Sequence, residues 1–62
     1  MKQWAMYEYD GQTDPNVFTM SEFLKDNEHE DAETLEEWKE DLNALDVGGS
    51  TYLHFFRIVR VR

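Results

Sequence analysis

The chain contains no cysteine, one proline and three glycines among its 62 residues. Without cysteine, neither disulfide bridges nor thiolate metal sites can contribute to its stability. Proline and glycine are too scarce, and the apolar residues too regularly clustered, for a disordered chain. A chain of this length can bury only about 60% of its unfolded surface. We therefore predict a single domain over residues 1–62, with a compact core rich in aromatic side chains.

Positive charge is also scarce, because six lysines and arginines stand against fourteen aspartates and glutamates, and the net charge is −8. This balance argues against direct binding to nucleic acid or to an anionic membrane surface, since both need cationic contacts. No apolar run approaches the roughly 20 residues that span a bilayer, and Glu8 comes too early for a signal peptide. We expect a cytoplasmic protein that is a monomer or a weak homodimer.

The strand signals lie at the two ends of the chain. Residues 2–9 alternate in the manner of a strand, and residues 17–18 can form a short partner strand in a hairpin with it. Residues 51–61 are rich in β-branched and aromatic side chains, which predicts one long strand. The alternation of this last strand is interrupted, and a bulge near residues 55–56 would reconcile it.

The helix signals lie between these strands. Thr19 and Glu22 have the spacing of a capping box, which predicts a first helix over 20–26. Asp31 is the predicted N-cap of a second helix, and a glycine at 48–49 is predicted to end it. One apolar stripe marks the buried side of this second helix: Leu35, Trp38, Leu42 and Leu45.

The order strand, helix, helix, strand predicts an α+β fold. We expect a small two-layer β-α-α-β domain, with an antiparallel sheet of two or three strands and two short helices packed on one face. The last strand should run antiparallel to the first. A sheet this narrow leaves strand edges open, where another chain can add.

The acidic residues are concentrated in the middle of the sequence. Residues 22–46 hold eleven acids and two lysines, a net charge of −9, whereas residues 47–62 hold three arginines and no acid. Glutamates four residues apart on a helix repel each other at a cost of about 0.2–0.5 kcal/mol per pair. A helix optimised for stability alone would contain more lysine. The predicted partner-binding residues are Glu28, Glu30, Asp31, Glu33, Glu36, Glu37, Glu40 and Asp41.

Two interpretations of this acidic stretch stay open. In the first, the carboxylates form a solvated helix face that only keeps a small protein soluble. In the second, they form a binding surface, because carboxylates on neighbouring turns lie about 5–6 Å apart, a spacing similar to that of phosphates along a nucleic-acid strand. A rigid acidic helix can then occupy a groove built for nucleic acid. The partner would be a basic host protein, a nucleic-acid-binding enzyme or complex.

In length, charge and expected architecture, the chain resembles the small acidic inhibitors that bacteriophages encode. These include anti-CRISPR proteins, anti-restriction proteins, uracil-DNA glycosylase inhibitors and inhibitors of host RNA polymerase, many of which occupy a nucleic-acid site as DNA mimics. The resemblance implies a non-enzymatic inhibitor of phage or mobile-element origin, and it transfers no individual residue. The alternative is a structural or assembly module that self-associates through an exposed strand edge.

The sequence predicts no catalytic site, no metal site and no cofactor. Neither His29 nor His54 has a recognisable nucleophile as partner. Residues 26–31 resemble the start of a calcium loop, but Asp31 stands where that loop requires glycine. The arginines near the C-terminus are expected to pair with acids of the same chain: Arg57, Arg60 and Arg62.

Overall fold

The computed structural model describes residues 1–62 and contains four strands and two helices. In chain order the elements are β1 (Trp4–Tyr7), β2 (Asn16–Phe18), α1 (Met20–Asp26), α2 (Ala32–Ala44), β3 (Ser50–Leu53) and β4 (Phe56–Arg60). The strands form one antiparallel sheet in the order β2-β1-β4-β3. The predicted α+β class is confirmed, but the sheet has four strands instead of two or three.

The additional strand arises because residues 51–61 form a hairpin and not one long strand. His54 and Phe55 make a two-residue turn, across which Leu53 pairs with Phe56. His54 is the only non-glycine residue with a positive φ, 56°. A positive φ confined to the first central residue is the pattern of a type II′ turn, whose twist suits a hairpin. The interruption in the alternation is therefore a turn, and the predicted bulge is wrong.

The central strands of the sheet are β1 and β4, which run antiparallel as predicted. The short predicted strand is also present as β2, and it pairs Phe18 with Trp4. β1 is shorter than the predicted 2–9, and just beyond it the Glu8 N–H donates to the side-chain Oε1 of Gln12 (2.7 Å). The edge strands β2 and β3 have three and four residues, which leaves only short edges open to another chain.

Both helices begin at their predicted caps. The Thr19 hydroxyl accepts from the Glu22 N–H (3.3 Å), and the Glu22 carboxylate accepts from the Thr19 N–H (2.8 Å). This complete capping box starts α1 at the predicted residue. At the start of α2, the Asp31 carboxylate accepts from the Thr34 N–H (2.7 Å). Local side-chain chemistry therefore determines where each helix begins.

The end of α2 differs from the prediction. The helix stops at Ala44, and its C-cap residue Leu45 has an extended backbone. Gly48, with a φ of 88°, lies in the following turn, where its N–H donates to the Arg60 carbonyl oxygen (2.7 Å). The Arg60 guanidinium in turn donates to the Leu45 carbonyl oxygen (2.7 Å). A side chain from β4 thus satisfies a carbonyl at the helix end, and the predicted glycine terminator is wrong.

The core lies between one face of the sheet and the two helices. Trp4 and Leu42 are fully buried, and the Trp4 indole N–H donates to the Leu42 carbonyl oxygen (3.0 Å). The Phe18 ring stacks against Trp4 and Phe23, with centroid distances of 6.0 and 5.5 Å. The buried cluster comprises Trp4, Phe18, Phe23, Leu42, Leu53 and Ile58. Neither helix is long and apolar enough to cross a membrane.

Candidate functional site

Five of the eight predicted binding residues lie on the outer side of α2. Trp38 and Leu42 pack into the core, and the five acids occupy positions on the opposite side of the helix. The helix has 13 residues, which corresponds to a length of about 20 Å. All five side chains are exposed: Glu33, Glu36, Glu37, Glu40 and Asp41. The helix therefore displays them as an ordered array.

The other three predicted residues lie in the connection between α1 and α2. Glu28 is exposed, whereas Glu30 is partly buried and its Oε1 lies 3.4 Å from His29 Nε2. Asp31 is exposed but acts as the N-cap of α2. Two hydrogen bonds from Thr34 lower the pKa of Asp31 below its usual 3.8, and the bond from the Thr34 backbone has a larger effect than the bond from its side chain. The connection continues the negative charge of α2, and we call all eight residues the acidic surface.

Little positive charge within the molecule compensates the acidic surface. The only contact with the geometry of an ion pair joins His29 to Glu30, and it pairs two charges only when the imidazole is protonated. Lys25 and Lys39, the two lysines of this region, therefore form no salt bridge with the surrounding carboxylates. The negative field of the surface is consequently available to a partner from outside.

The arginines do not form the predicted ion pairs with acids of the chain. The Arg57 guanidinium lies 4.7 Å from the centre of the Tyr7 ring, a cation–π contact. Arg60 donates to the carbonyl oxygens of Leu45 (2.7 Å) and Arg62 (2.9 Å). The prediction was wrong because Arg57 contacts an aromatic ring and Arg60 donates to a carbonyl oxygen at the end of α2, and no arginine forms a salt bridge with a carboxylate.

A groove of about 220 Å³ opens between the sheet, the end of α1 and α2. The Trp38 ring forms part of its wall and meets Phe23 and His54 edge-on, with centroid distances of 6.2 and 4.9 Å. Two acidic residues, Asp26 and Glu30, also line this groove. Sequence reasoning missed this groove because its walls come from residues that are far apart in the chain.

The second face of the sheet carries aromatic side chains and is not covered by the helices. Arg57 lies opposite Tyr7 on one neighbouring strand and opposite Tyr52 on the other, so the three form one row across the sheet. Tyr52 is 67% exposed, and the adjacent turn residue Phe55 is 91% exposed. A single strand over residues 51–61 would place Phe55 on the same face as Leu53, which is buried. The sequence therefore did not indicate that Phe55 is exposed next to Tyr52.

The titratable side chains do not assemble a metal centre. No three histidine, aspartate or glutamate side chains lie close enough to hold a metal ion. His29 contacts Glu30 on the surface, and His54 packs against Trp38. The structure thus offers three surface features for function: the acidic surface, the adjacent groove and the aromatic sheet face.

Comparisons of the chain with protein-family models, curated proteins and solved structures found no match. No activity or partner can therefore be carried over from a relative.

Proposed function

We propose that this protein is a small, acidic, non-enzymatic binding protein that docks its acidic surface on a basic, nucleic-acid-binding surface of a host protein. The observation that carries the proposal is the exposed array of carboxylates on α2, which has no salt bridge to a lysine or arginine. Such an array attracts a cationic surface from a distance and increases the rate of encounter.

The mechanism is competition for a cationic site. The bond from Trp4 to Leu42 ties α2 to the sheet, so the helix can present its carboxylates without folding first. A pre-ordered surface loses less conformational entropy on binding than a flexible acidic tail. Lysines and arginines that otherwise contact phosphates would pair with these carboxylates, and nucleic acid would be excluded.

The proposed biological setting follows the resemblance in size, charge and architecture. A chain of 62 residues with a net charge of −8 suits a phage or mobile-element inhibitor of the anti-CRISPR or anti-restriction kind. Such an inhibitor would act in the cytoplasm of the host as a monomer or a weak homodimer. Its target would be a nucleic-acid enzyme or complex.

The decisive experiment reverses charge on α2 and compares it with an equal reversal elsewhere. Glu36→Lys with Glu40→Lys alters the acidic surface, whereas Asp10→Lys with Asp14→Lys alters exposed residues before β2. Each immobilised variant is incubated with bacterial lysate at low salt and eluted with duplex DNA. We expect the α2 variant to retain about tenfold less of any DNA-eluted basic protein than the wild type or the control.

Folding of both double variants is checked by circular dichroism before the capture. The proposal fails if the folded α2 variant captures the same proteins as the wild type. It also fails if duplex DNA releases nothing, because competition requires that DNA and the inhibitor share one site.

Self-association is the second candidate, and the exposed aromatic face next to β3 is the observation that favours it. Tyr52 on this edge strand and Phe55 in the adjoining turn are both largely exposed. Pairing between copies would bury them, and the acidic surface would then serve only solubility. Sedimentation velocity over a wide concentration range discriminates, because a monomer at every concentration contradicts self-assembly.

A further inference from the structure

We infer that the groove beside the acidic surface binds one arginine side chain of the basic partner. The inference rests on the proposed function for the identity of the partner, and it adds the chemical group that the partner inserts.

The size of the groove suits a single side chain. Its volume of about 220 Å³ is below the range of about 300–1,000 Å³ that is usual for drug-sized ligands. Met6 and Phe56 line it from the sheet, and Trp38 lines it from α2. All three are only partly buried, so their apolar surface is accessible to an aliphatic stem.

The polar groups of the groove favour a cation. Asp26 and Glu30 are the two acidic residues among those that line it, and no lysine or arginine lines it. The Asn27 side-chain nitrogen donates to the Phe23 carbonyl oxygen (2.8 Å), which leaves the Asn27 Oδ1 as a further acceptor. His54 is the only basic residue in the lining. A purely apolar occupant would remove the two carboxylates from water without replacing their hydrogen bonds.

Arginine fits these groups better than lysine does. A guanidinium is planar, so it can lie against the Trp38 ring while its N–H groups reach a carboxylate. It donates two parallel hydrogen bonds to one carboxylate, which a lysine ammonium cannot do. Asp26 and Glu30 are the two lining residues whose carboxylates could accept these hydrogen bonds.

The groove is continuous with the acidic surface. Glu30 belongs to both, and Asp31, the next residue, begins the helix that carries the other carboxylates. A basic partner lying along α2 and the preceding connection therefore passes the mouth of the groove. An arginine at the edge of the partner's surface could then fill the groove with its side chain alone, without insertion of the partner's backbone.

The test is an NMR titration that needs no natural partner. The 15N-labelled full chain is titrated with acetyl-Gly-Arg-Gly-amide and with the lysine and citrulline versions of this peptide. We expect saturable shifts at the Trp38 indole N–H and at the amides of residues 26–30, with arginine binding more tightly than lysine. Citrulline has the same shape without charge, and it should cause almost no shift.

A charge-matched pair of variants separates the groove from general electrostatics. Asp26→Asn with Glu30→Gln should weaken arginine-peptide binding by at least about fivefold, whereas Asp10→Asn with Asp14→Asn should leave it within about twofold of wild type. Dispersed amide spectra verify that both variants are folded. Equal binding of citrulline, shifts centred on Tyr52 or equal weakening by both variants would overturn the inference.

Failure of the groove assignment can be distinguished from failure of the proposed competition mechanism. If the peptide fails to bind while lysate capture still depends on Glu36 and Glu40, the groove assignment is wrong and the acidic surface remains the binding site. If the arginine peptide binds in the groove but capture is unaffected by charge reversal on α2, the arginine pocket is supported and the competition mechanism is wrong.

Discussion

At the scale of single residues, Trp4 joins the sheet to the helix that carries the acidic surface. Its side chain is fully buried, and its indole N–H donates to the carbonyl oxygen of Leu42, which lies 38 residues away in the chain. A buried indole needs such a partner, because burial removes the hydrogen bond between its N–H and water, and nothing else would replace that bond. Trp4 therefore ties the last turn of α2 to β1.

Replacing Trp4 by Phe should lower stability more than the same change at Trp38. The substitution removes the hydrogen bond to Leu42 and leaves a cavity, which together cost about 2 kcal/mol. For a domain of this size, that loss corresponds to a fall in Tm of roughly 8–16 °C. Trp38→Phe, at a half-buried ring, should cost less than about 1 kcal/mol. Urea denaturation followed by tyrosine fluorescence measures both, and equal losses would contradict the anchoring role of Trp4.

At the scale of elements, helix starts were predictable and the hairpin was not. Thr19 and Asp31 are local signals, since each side chain bonds to a backbone N–H three residues later. The turn at His54 has no such signal, because it contains neither glycine nor asparagine. Leu53 and Phe56 both turn toward the core, and the His54 ring packs against Trp38. Tertiary packing, which the sequence pattern does not show, therefore supports the positive φ.

The N-cap of α2 should make stability depend on pH in the acid range. Thr34 lowers the pKa of Asp31 in the folded state below 3.8, so the folded state binds this proton less readily than the unfolded state. The resulting stabilisation is present above the unfolded pKa and is lost as the pH falls through the lower folded pKa. We expect the Tm difference between the wild type and Asp31→Ala to be largest near neutral pH and to shrink in strong acid.

Calorimetry across this pH range measures the effect, and Asp31→Asn provides the control. Asparagine retains a capping oxygen but has no proton to lose. The Tm difference between Asp31→Asn and Asp31→Ala should therefore stay constant with pH. If the Tm difference between the wild type and Asp31→Ala were the same in strong acid as at neutral pH, the charge of Asp31 would contribute nothing to the cap.

At the scale of the whole molecule, charge is segregated and not internally paired. The sequence predicted the acidic surface because charge and helical periodicity are visible in it. It did not predict the groove, since Met6, Trp38 and Phe56 meet only after the strands and helices pack. Nor did it predict that Arg57 contacts Tyr7 and that Arg60 bonds to carbonyl oxygens. As a result, the positive end of the chain leaves the acidic surface uncompensated.

The unpaired charge should make stability and partner binding respond to salt in opposite directions. The molecule measures 31 × 21 × 16 Å, and the Debye length is about 30 Å at 0.01 M salt but about 8 Å at 0.15 M. At low salt each carboxylate therefore repels others across the whole molecule, and added salt should raise the Tm by roughly 4–8 °C, equivalent to about 1 kcal/mol. The same salt should weaken capture of a basic partner, because it screens the attraction between the two surfaces.

Differential scanning calorimetry at several NaCl concentrations measures the rise, and the charge-reversed variant controls for effects of salt unrelated to charge. Glu36→Lys with Glu40→Lys exchanges two negative charges for two positive ones, which changes the net charge from −8 to −4. The Tm of this variant should be less sensitive to NaCl. A parallel series in potassium sulfate measures the stabilisation that comes from exclusion of salt from the protein surface, which adds to the effect of charge screening. A wild-type Tm that falls as NaCl is added would mean that attractive pairs outweigh the repulsion. In that case positive charges within the molecule would already neutralise the acidic surface, and the surface would not attract a cationic partner.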